Sequence, residues 1–237
     1  MSQSQHPNDS GQTTMPKTAI SFNVPPKLWA AFKAQTDGLF LSRAPFLDYM
    51  VANELPHLRT ELGGLNLSLR AKRYIAGAMK KQGPISVNIE VQPATAEALR
   101  EAAQAHNLVR DAFMARLLIF LRSTDAFLKY LEVPRIATSR GTNASLEEMP
   151  ASPLKAMEAV RDDPLFYVRF HVEAVHEVGI YRVSLPRQLD WAACYIADED
   201  IPGTSAYRRQ QKLGNELLAM LEDTPARSPT TTQRTKK

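Results

Sequence analysis

The chain has 237 residues, of which 44% are hydrophobic and only 10 are Gly, so it holds enough apolar material for one large or two small packed domains. Its longest apolar runs, such as residues 117–121, are far shorter than the roughly 20 residues that span a bilayer, and the polar residues 1–12 lack the apolar segment of a secretion signal. We therefore expect a cytoplasmic protein. The single cysteine, Cys194, excludes an intrachain disulfide and a Cys-based metal site, and we expect it to be buried.

The net charge of +4 is unevenly distributed along the chain. Residues 1–82 carry 10 Lys and Arg against 5 Asp and Glu, whereas residues 83–131 carry 5 of each. Residues 132–223 carry 10 against 15, and residues 224–237 carry 4 basic residues and no acidic ones. The first part of the chain is therefore basic, and the C-terminal segment has the composition of a basic disordered tail.

Residues 1–16 are rich in Ser, Gln, Asn and Thr, which favours a disordered tail. Apolar and polar side chains then alternate over residues 17–24, which is typical of a strand with one buried face. Pro25 and Pro26 end this strand and open a helix that we expect to end at Asp37–Gly38. Ser42 is a favourable N-cap for a second helix.

The same order of elements follows in residues 84–123. A strand is predicted at residues 85–91, a helix at 93–106 and another helix at 110–122, and Val109 stands where the first copy has its capping Ser. Between the two copies, residues 65–82 predict a basic amphipathic helix. Its cations are Arg70, Lys72, Arg73, Lys80 and Lys81.

The two copies are related by one constant offset in sequence, without an insertion. Pro26 corresponds to Pro93, and Phe46 corresponds to Phe113. A repeat that carries the strand period of two and the later helical spacing together indicates duplicated units that pack on each other. We therefore expect strands 18–24 and 85–91 to pair antiparallel within one chain. The side chains expected to face the helices are Ile20, Phe22, Val87 and Ile89.

The remaining sequence predicts a linker at 132–152 and a C-terminal α+β region at 153–223. The expected elements of this region are strands at 167–172 and 181–185 and helices at 187–196 and 205–221. Its strand patterns can offer edges for oligomerisation or for a partner protein. The interval from Leu185 to Tyr207 equals the interval from Val24 to Phe46, so residues 180–221 are either a third, degenerate unit or a coincidence of spacing.

A short strand with a polar outer face, followed by two helices with a Ser at the start of the second, resembles the ribbon-helix-helix family of DNA-binding proteins, the MetJ/Arc type. The resemblance covers residues 17–58 and 84–123 and rests on pattern and spacing. It implies an α+β, mostly helical fold. In that fold two ribbon-helix-helix units form an intramolecular pseudo-dimer across residues 17–131, and the two-stranded ribbon enters the major groove of double-stranded DNA.

The resemblance also implies the DNA-binding residues. Base contacts fall by strand parity on Ala19, Ser21 and Asn23 in the first copy and on Ser86, Asn88 and Glu90 in the second. Phosphate contacts fall on the start of each second helix, at Ser42 and Arg43 and at Arg110. Lys17, at the start of the first strand, completes the set.

Other chemistry is sparse in this sequence. His171 and His176 have no carboxylate or Cys array beside them, and no Gly-rich phosphate loop or nucleophile elbow is present. We expect no cofactor, no metal and no enzymatic activity. The expected function is sequence-specific DNA binding by a transcriptional repressor or autoregulator, or by an accessory factor at a plasmid partition or transfer origin. The alternative is a structural or protein-interaction module that keeps the fold without DNA contact.

Overall fold

The computed structural model describes residues 17–132 and 161–222, which are mostly helical with one two-stranded sheet. The expected tails at 1–16 and 224–237, and the expected linker apart from its first residue, lie outside the described residues. The strands are β1, Thr18–Val24, and β2, Ile85–Val91. The α-helices are α1, Pro26–Gly38, α2, Arg43–Leu62, α3, Leu69–Lys80, α4, Pro93–Ala105, α5, Arg110–Leu121, α6, Asp125–Tyr130, α7, Phe166–His176, and α8, Ser205–Glu222.

The two strands pair antiparallel within the chain, as the sequence predicts. Thr18 lies opposite Val91, Ser21 opposite Asn88, and Val24 opposite Ile85. The two strands have the same alternation of buried and exposed residues. The inward side chains are Ile20, Phe22, Val24, Val87, Ile89 and Val91, all buried. The expected inward orientation of Ile20, Phe22, Val87 and Ile89 is therefore confirmed.

The helices that follow each strand also repeat, at the same offset in sequence as the strands. Each bound of α1 has its counterpart in α4, and the starts of α2 and α5 correspond in the same way. The turn after the first helix repeats too, because Phe40 and Asn107 both adopt a left-handed backbone conformation, with φ of 55° and 52°. An Asn tolerates this conformation better than a Phe does. Phe40 thus adopts a backbone conformation that is less favourable for it, although its side chain is 97% exposed.

Helix α3 connects the two strand-helix-helix segments and is amphipathic, as predicted. It begins later than the sequence pattern suggests, at Leu69, because Ser68 caps it by accepting a hydrogen bond from Ala71 N at 3.0 Å. Ala71, Ile75 and Met79 form its buried stripe. The preceding turn binds the turn after α4, where Leu67 N donates to His106 O. Helix α3 is thereby fixed beside the second segment.

The expected strands at 167–172 and 181–185 are wrong. Residues 166–176 form helix α7, and residues 181–185 form a turn followed by irregular chain. Leu165, Arg169 and Val172 are buried together at the i, i+4, i+7 spacing of a helix. A strand would have buried alternate residues instead. The described part of the C-terminal region therefore contains no strand, and the third unit considered for residues 180–221 lacks its first element.

The helices predicted after residue 185 agree with the structure more closely than the two predicted strands do. The helix expected at 187–196 is a shorter 3₁₀-helix at Arg187–Ala192, and α8 agrees with the helix expected at 205–221. Residues 161–195 belong to the same compact unit as residues 17–132, while residues 196–222 belong to a second unit. The boundary at 152 drawn from the sequence therefore differs from this division, in which α7 and the 3₁₀-helix are part of the unit that contains the two strands.

A buried ion cluster holds α7 against α2. The guanidinium of Arg169 donates to Glu54 Oε2 at 2.6 Å and also to Glu61. Tyr181 donates its hydroxyl to Glu54 Oε2 at 2.7 Å and its backbone N–H to Glu61 Oε2 at 2.9 Å. Gly179 passes so close to Glu61 that a Cβ added at residue 179 would overlap the Glu61 carboxyl group. Both carboxylates thus bind the segment from α7 to Tyr181.

A second buried cation lies on α5. Arg116 is 1% exposed and donates to the backbone oxygens of Ile180 and Val183, the latter at 2.9 Å. Its guanidinium also lies over the Phe120 ring, 5.2 Å from the centroid. Because α5 begins at the ribbon, Arg116 links the ribbon-bearing helices to residues 180–183.

Removing the cation of the buried cluster should destabilise the protein strongly. In Arg169→Met, the Glu54 and Glu61 carboxylates lose their charged partner while they stay buried, so we expect the free energy of unfolding to fall by about 3–5 kcal/mol. Chemical denaturation followed by circular dichroism measures this change. The control is Arg182→Met, at an exposed site on the same segment, where a change within about 0.5 kcal/mol is expected. Equal effects of the two substitutions would contradict the role given to the cluster.

Candidate nucleic-acid interface

The outer face of the ribbon brings together most of the DNA-binding residues expected from the sequence. Its side chains are polar or small and exposed to solvent. They are Ala19, Ser21 and Asn23 on β1, Ser86, Asn88 and Glu90 on β2, and Lys17 immediately before β1. In the register Ala19 lies opposite Glu90 and Asn23 opposite Ser86. The face is therefore chemically asymmetric from one end of the ribbon to the other.

Cross-strand contacts order this face. At its centre, Ser21 Oγ donates to Asn88 Oδ1. At one end, Lys17 Nζ lies 3.6 Å from Glu90 Oε2, with both side chains exposed. An exposed ion pair contributes little to stability, but this cation offsets the only carboxylate that the ribbon itself presents to solvent. Among the residues that the structure describes, the Asn88 amide N–H groups have no acceptor, so they are available at the centre of the face.

The other end of the ribbon is bound to the start of α5. Asn23 Nδ2 donates to Asp111 Oδ2 at 2.8 Å. Asp111 was not among the residues expected from the sequence. The sequence did indicate a difference between the two segments at this point, because Asp111 follows Arg110 whereas the uncharged Ala44 follows Arg43. The carboxylate brings a second negative charge beside the ribbon and engages a side chain expected to contact bases.

The two expected arginines have different surroundings. Arg110 donates to the backbone oxygen of Ser21 in β1, so its guanidinium lies at the ribbon edge. Arg43, its counterpart at the start of α2, is paired with Asp37. The residue that corresponds to Asp37 in the second segment is Gln104, which carries no charge. The positive charge beside the ribbon is therefore less neutralised at Arg110 than at Arg43.

Helices α2 and α5, the second helix of each segment, both begin without a capping hydrogen bond from a side chain. Ser42 occupies the N-cap position of α2 and is exposed, but its side chain makes no capping hydrogen bond. Val109 occupies the N-cap position of α5 and has no side chain able to make one. The α2 start packs near the end of β2, where Gln92 N donates to Asp48 Oδ1 at 3.1 Å. Neither helix start is closed by its own capping side chain.

A groove of about 620 Å³ lies beside the β1 edge, between α3, α4 and the start of α5. Its lining contains three cationic side chains, Lys72, Arg100 and Arg110, and one carboxylate, Asp111. The inner-face residue Ile20 also lines it, which places the groove directly next to the ribbon. Lys72 and Arg100 are not among the site residues expected from the sequence. The sequence does show that the connecting helix, which carries Lys72, is basic.

The buried ion cluster has the properties of a structural element. Burial raises the pKa of the Glu61 carboxyl, an effect that the Tyr181 N–H and Arg169 oppose. Burial also raises the pKa of the Cys194 thiol to about 12, so this thiol stays protonated near neutral pH. Cys194 is buried, as expected. Within the described residues, no group of three or more His, Cys, Asp or Glu side chains is arranged to hold a metal ion.

Comparisons of the chain with protein-family models, with characterised proteins and with solved structures find no match. Over residues 17–132 and 161–222, no helix combines the length and the apolar character that crossing a membrane requires.

The contact between Asn23 and Asp111 should couple the ribbon to α5. We expect a double-mutant cycle with Asn23→Ala and Asp111→Ala to give a coupling energy of about 0.5–1 kcal/mol, because the hydrogen bond to the carboxylate is charge-assisted but exposed. Unfolding by denaturant measures the four free energies. A control cycle pairs Asn66→Ala, at an exposed turn before α3, with Asp111→Ala and should give no coupling. Absence of coupling in the first cycle would contradict this contact.

Proposed function

We propose that the chain is a sequence-specific, double-stranded DNA-binding protein whose ribbon enters the major groove. In this proposal residues 17–131 are two ribbon-helix-helix units that form a pseudo-dimer within one polypeptide. The observation that carries it is the intrachain ribbon itself, because its inner face is buried and its outer face is polar and exposed. A two-stranded ribbon with these properties is one of the elements that bind in the major groove.

The asymmetry of the outer face favours an asymmetric DNA site. Asn88 can form a bidentate pair with adenine, Ser21 and Ser86 can bond several bases, and Glu90 can accept from cytosine N4. Lys17 reduces the electrostatic cost of bringing Glu90 near phosphates. Asn23 donates one of its amide N–H groups to the Asp111 carboxylate. Within the described residues the Asn88 side chain is bonded only through Oδ1, which accepts from Ser21 and has a second lone pair for a base. We therefore assign the main base contact to Asn88.

Within this function the chain acts as a transcriptional repressor or autoregulator, or as an accessory factor at a plasmid partition or transfer origin, in the cytoplasm and without an enzymatic activity of its own. One ribbon covers only a few base pairs. Two copies on successive half-sites, about one helical turn apart, would therefore raise affinity. We propose α8 as the element for this homo-oligomerisation, because it lies outside the ribbon-bearing unit and its Leu213 side chain is 60% exposed.

The second candidate function is a protein-interaction module without DNA contact. The observation that favours it is the apolar turn between α1 and α2, where Leu39 is 61% and Phe40 97% exposed. The corresponding turn after α4 is covered, since His106 and Asn107 bond to the backbone oxygens of Leu65 and Leu67. Salt-dependent binding to duplex DNA separates the two functions, because only the first requires it.

Loss of the Asn88 amide should weaken specific binding selectively. We expect Asn88→Ala to cost about 1–3 kcal/mol on a duplex selected from a random library and little on random duplex, because a bidentate base contact is lost while the phosphate contacts remain. Fluorescence anisotropy at fixed salt concentration measures both affinities.

The matched control is Asn66→Ala, an Asn-to-Ala change at an exposed turn outside the ribbon. It should leave both affinities unchanged. An Asn88→Ala protein that keeps the wild-type affinity for the selected duplex would show that the ribbon is not the element that recognises the sequence.

A further inference from the structure

The groove beside β1 has the chemistry of a phosphate site. Lys72, from α3, and Arg110, from the start of α5, both line it. Within the described residues neither side chain forms an ion pair with a carboxylate. Lys72 Nζ donates to the amide oxygen of Asn107 at 2.8 Å, and Arg110 donates to the Ser21 backbone oxygen. Both cations are thus positioned by neutral oxygen atoms and retain their charge for a ligand.

Arg100, the third cation of the groove, is paired with a carboxylate, unlike Lys72 and Arg110. Arg100 Nε donates to Glu97 Oε2 at 2.9 Å, one turn earlier on α4. The groove carboxylate, Asp111, accepts from Asn23 at its ribbon side. Lys72 and Arg110 therefore carry most of the positive charge available to a ligand in this groove, and Arg110 is bonded to β1.

We propose that this groove binds a backbone phosphate of the DNA that flanks the ribbon, with Lys72 as its principal contact outside the strand-helix-helix units. The inference rests on the proposed function and deepens it, since it assigns a DNA contact to the connecting helix α3. When the ribbon enters a major groove, the phosphates of the adjoining strand pass along the ribbon edges. Ile20 of β1, Arg110 and Lys72 line the same groove, so a DNA strand that passes the β1 edge and enters the groove can contact both cations. The phosphate contacts are consequently stronger on the α5 side than at Arg43.

The test compares three variants in duplex binding between 50 and 200 mM salt. Log affinity falls with log salt concentration, and the loss of one phosphate contact makes this fall less steep by about 0.9. If the affinities are equal at 1 M salt, this change corresponds to about an eightfold loss of affinity at 100 mM salt. We expect this result for Lys72→Gln on selected and random duplexes alike. Lys72→Arg should keep the wild-type slope because it keeps the charge. Thermal unfolding of each variant checks that the loss of the bond to Asn107 has not unfolded the protein.

Lys129→Gln is the matched control. It removes the same charge at an exposed position on α6, which follows the end of α5 opposite to Arg110, and should leave the slope unchanged. If Lys72→Gln behaves as Lys129→Gln does, while Asn88→Ala still weakens specific binding, the groove inference fails and the proposed function stands. If the wild-type chain does not bind duplex DNA, the proposed function fails and this inference fails with it.

A free phosphate ligand is the other source of the same chemistry. Inorganic phosphate alone, added at constant ionic strength and followed by NMR of the protein, should cause only weak shifts at Lys72 and Arg110 in the millimolar range. Micromolar binding of inorganic phosphate, together with an unchanged duplex affinity of Lys72→Gln, would assign the groove to a small phosphate ligand and overturn the DNA assignment.

Discussion

The antiparallel pairing of β1 with β2 is the constraint on which the rest of the unit depends. A two-stranded ribbon has marginal stability in water by itself, so its survival requires helices that cover one face. Six side chains on that face are buried, among them Phe22 and Val24 at 1% and 0% exposure, and each contributes about 1.5–3 kcal/mol relative to its exposed state. The parity of the strands then leaves the opposite face to polar side chains. Burial of the apolar face and exposure of the polar face of the ribbon are therefore two consequences of the same strand alternation.

Sequence periodicity predicted this part of the fold well. The ribbon and the four helices after its strands follow local rules, namely alternation, proline at helix starts and the repetition of one pattern at a constant offset. Residues 167–172 were predicted wrongly because Tyr167, Val168 and Val172 favour a strand locally. In the structure this segment is a helix whose Arg169 bonds partners on α2 that lie 108 and 115 residues away in sequence. Contacts of that range leave no local pattern in the sequence, and they also hold residues 161–195 to the ribbon-bearing unit.

The candidate site was predicted in part for a similar reason. The outer face of the ribbon follows from strand parity, and all of its expected members lie there. The difference between Arg43 and Arg110 depends on whether the preceding turn supplies a carboxylate, as Asp37 does. Asp111 and Lys72 join the site only when α3, α5 and β1 are assembled, so their roles depend on the packing of distant segments. The resulting interface has less neutralised positive charge on the α5 side, where the DNA backbone is expected to bind most strongly.

The central claim is that the ribbon, formed within one chain, contacts base edges in the major groove. NMR of the isotope-labelled full chain with a duplex selected from a random library tests it most directly. The account predicts nuclear Overhauser contacts from Asn88 and its neighbours on β1 and β2 to thymine methyl and cytosine H5 protons, which lie in the major groove. Ribbon resonances that stay unchanged when the duplex is saturated, or contacts from the ribbon to minor-groove protons alone, would contradict it.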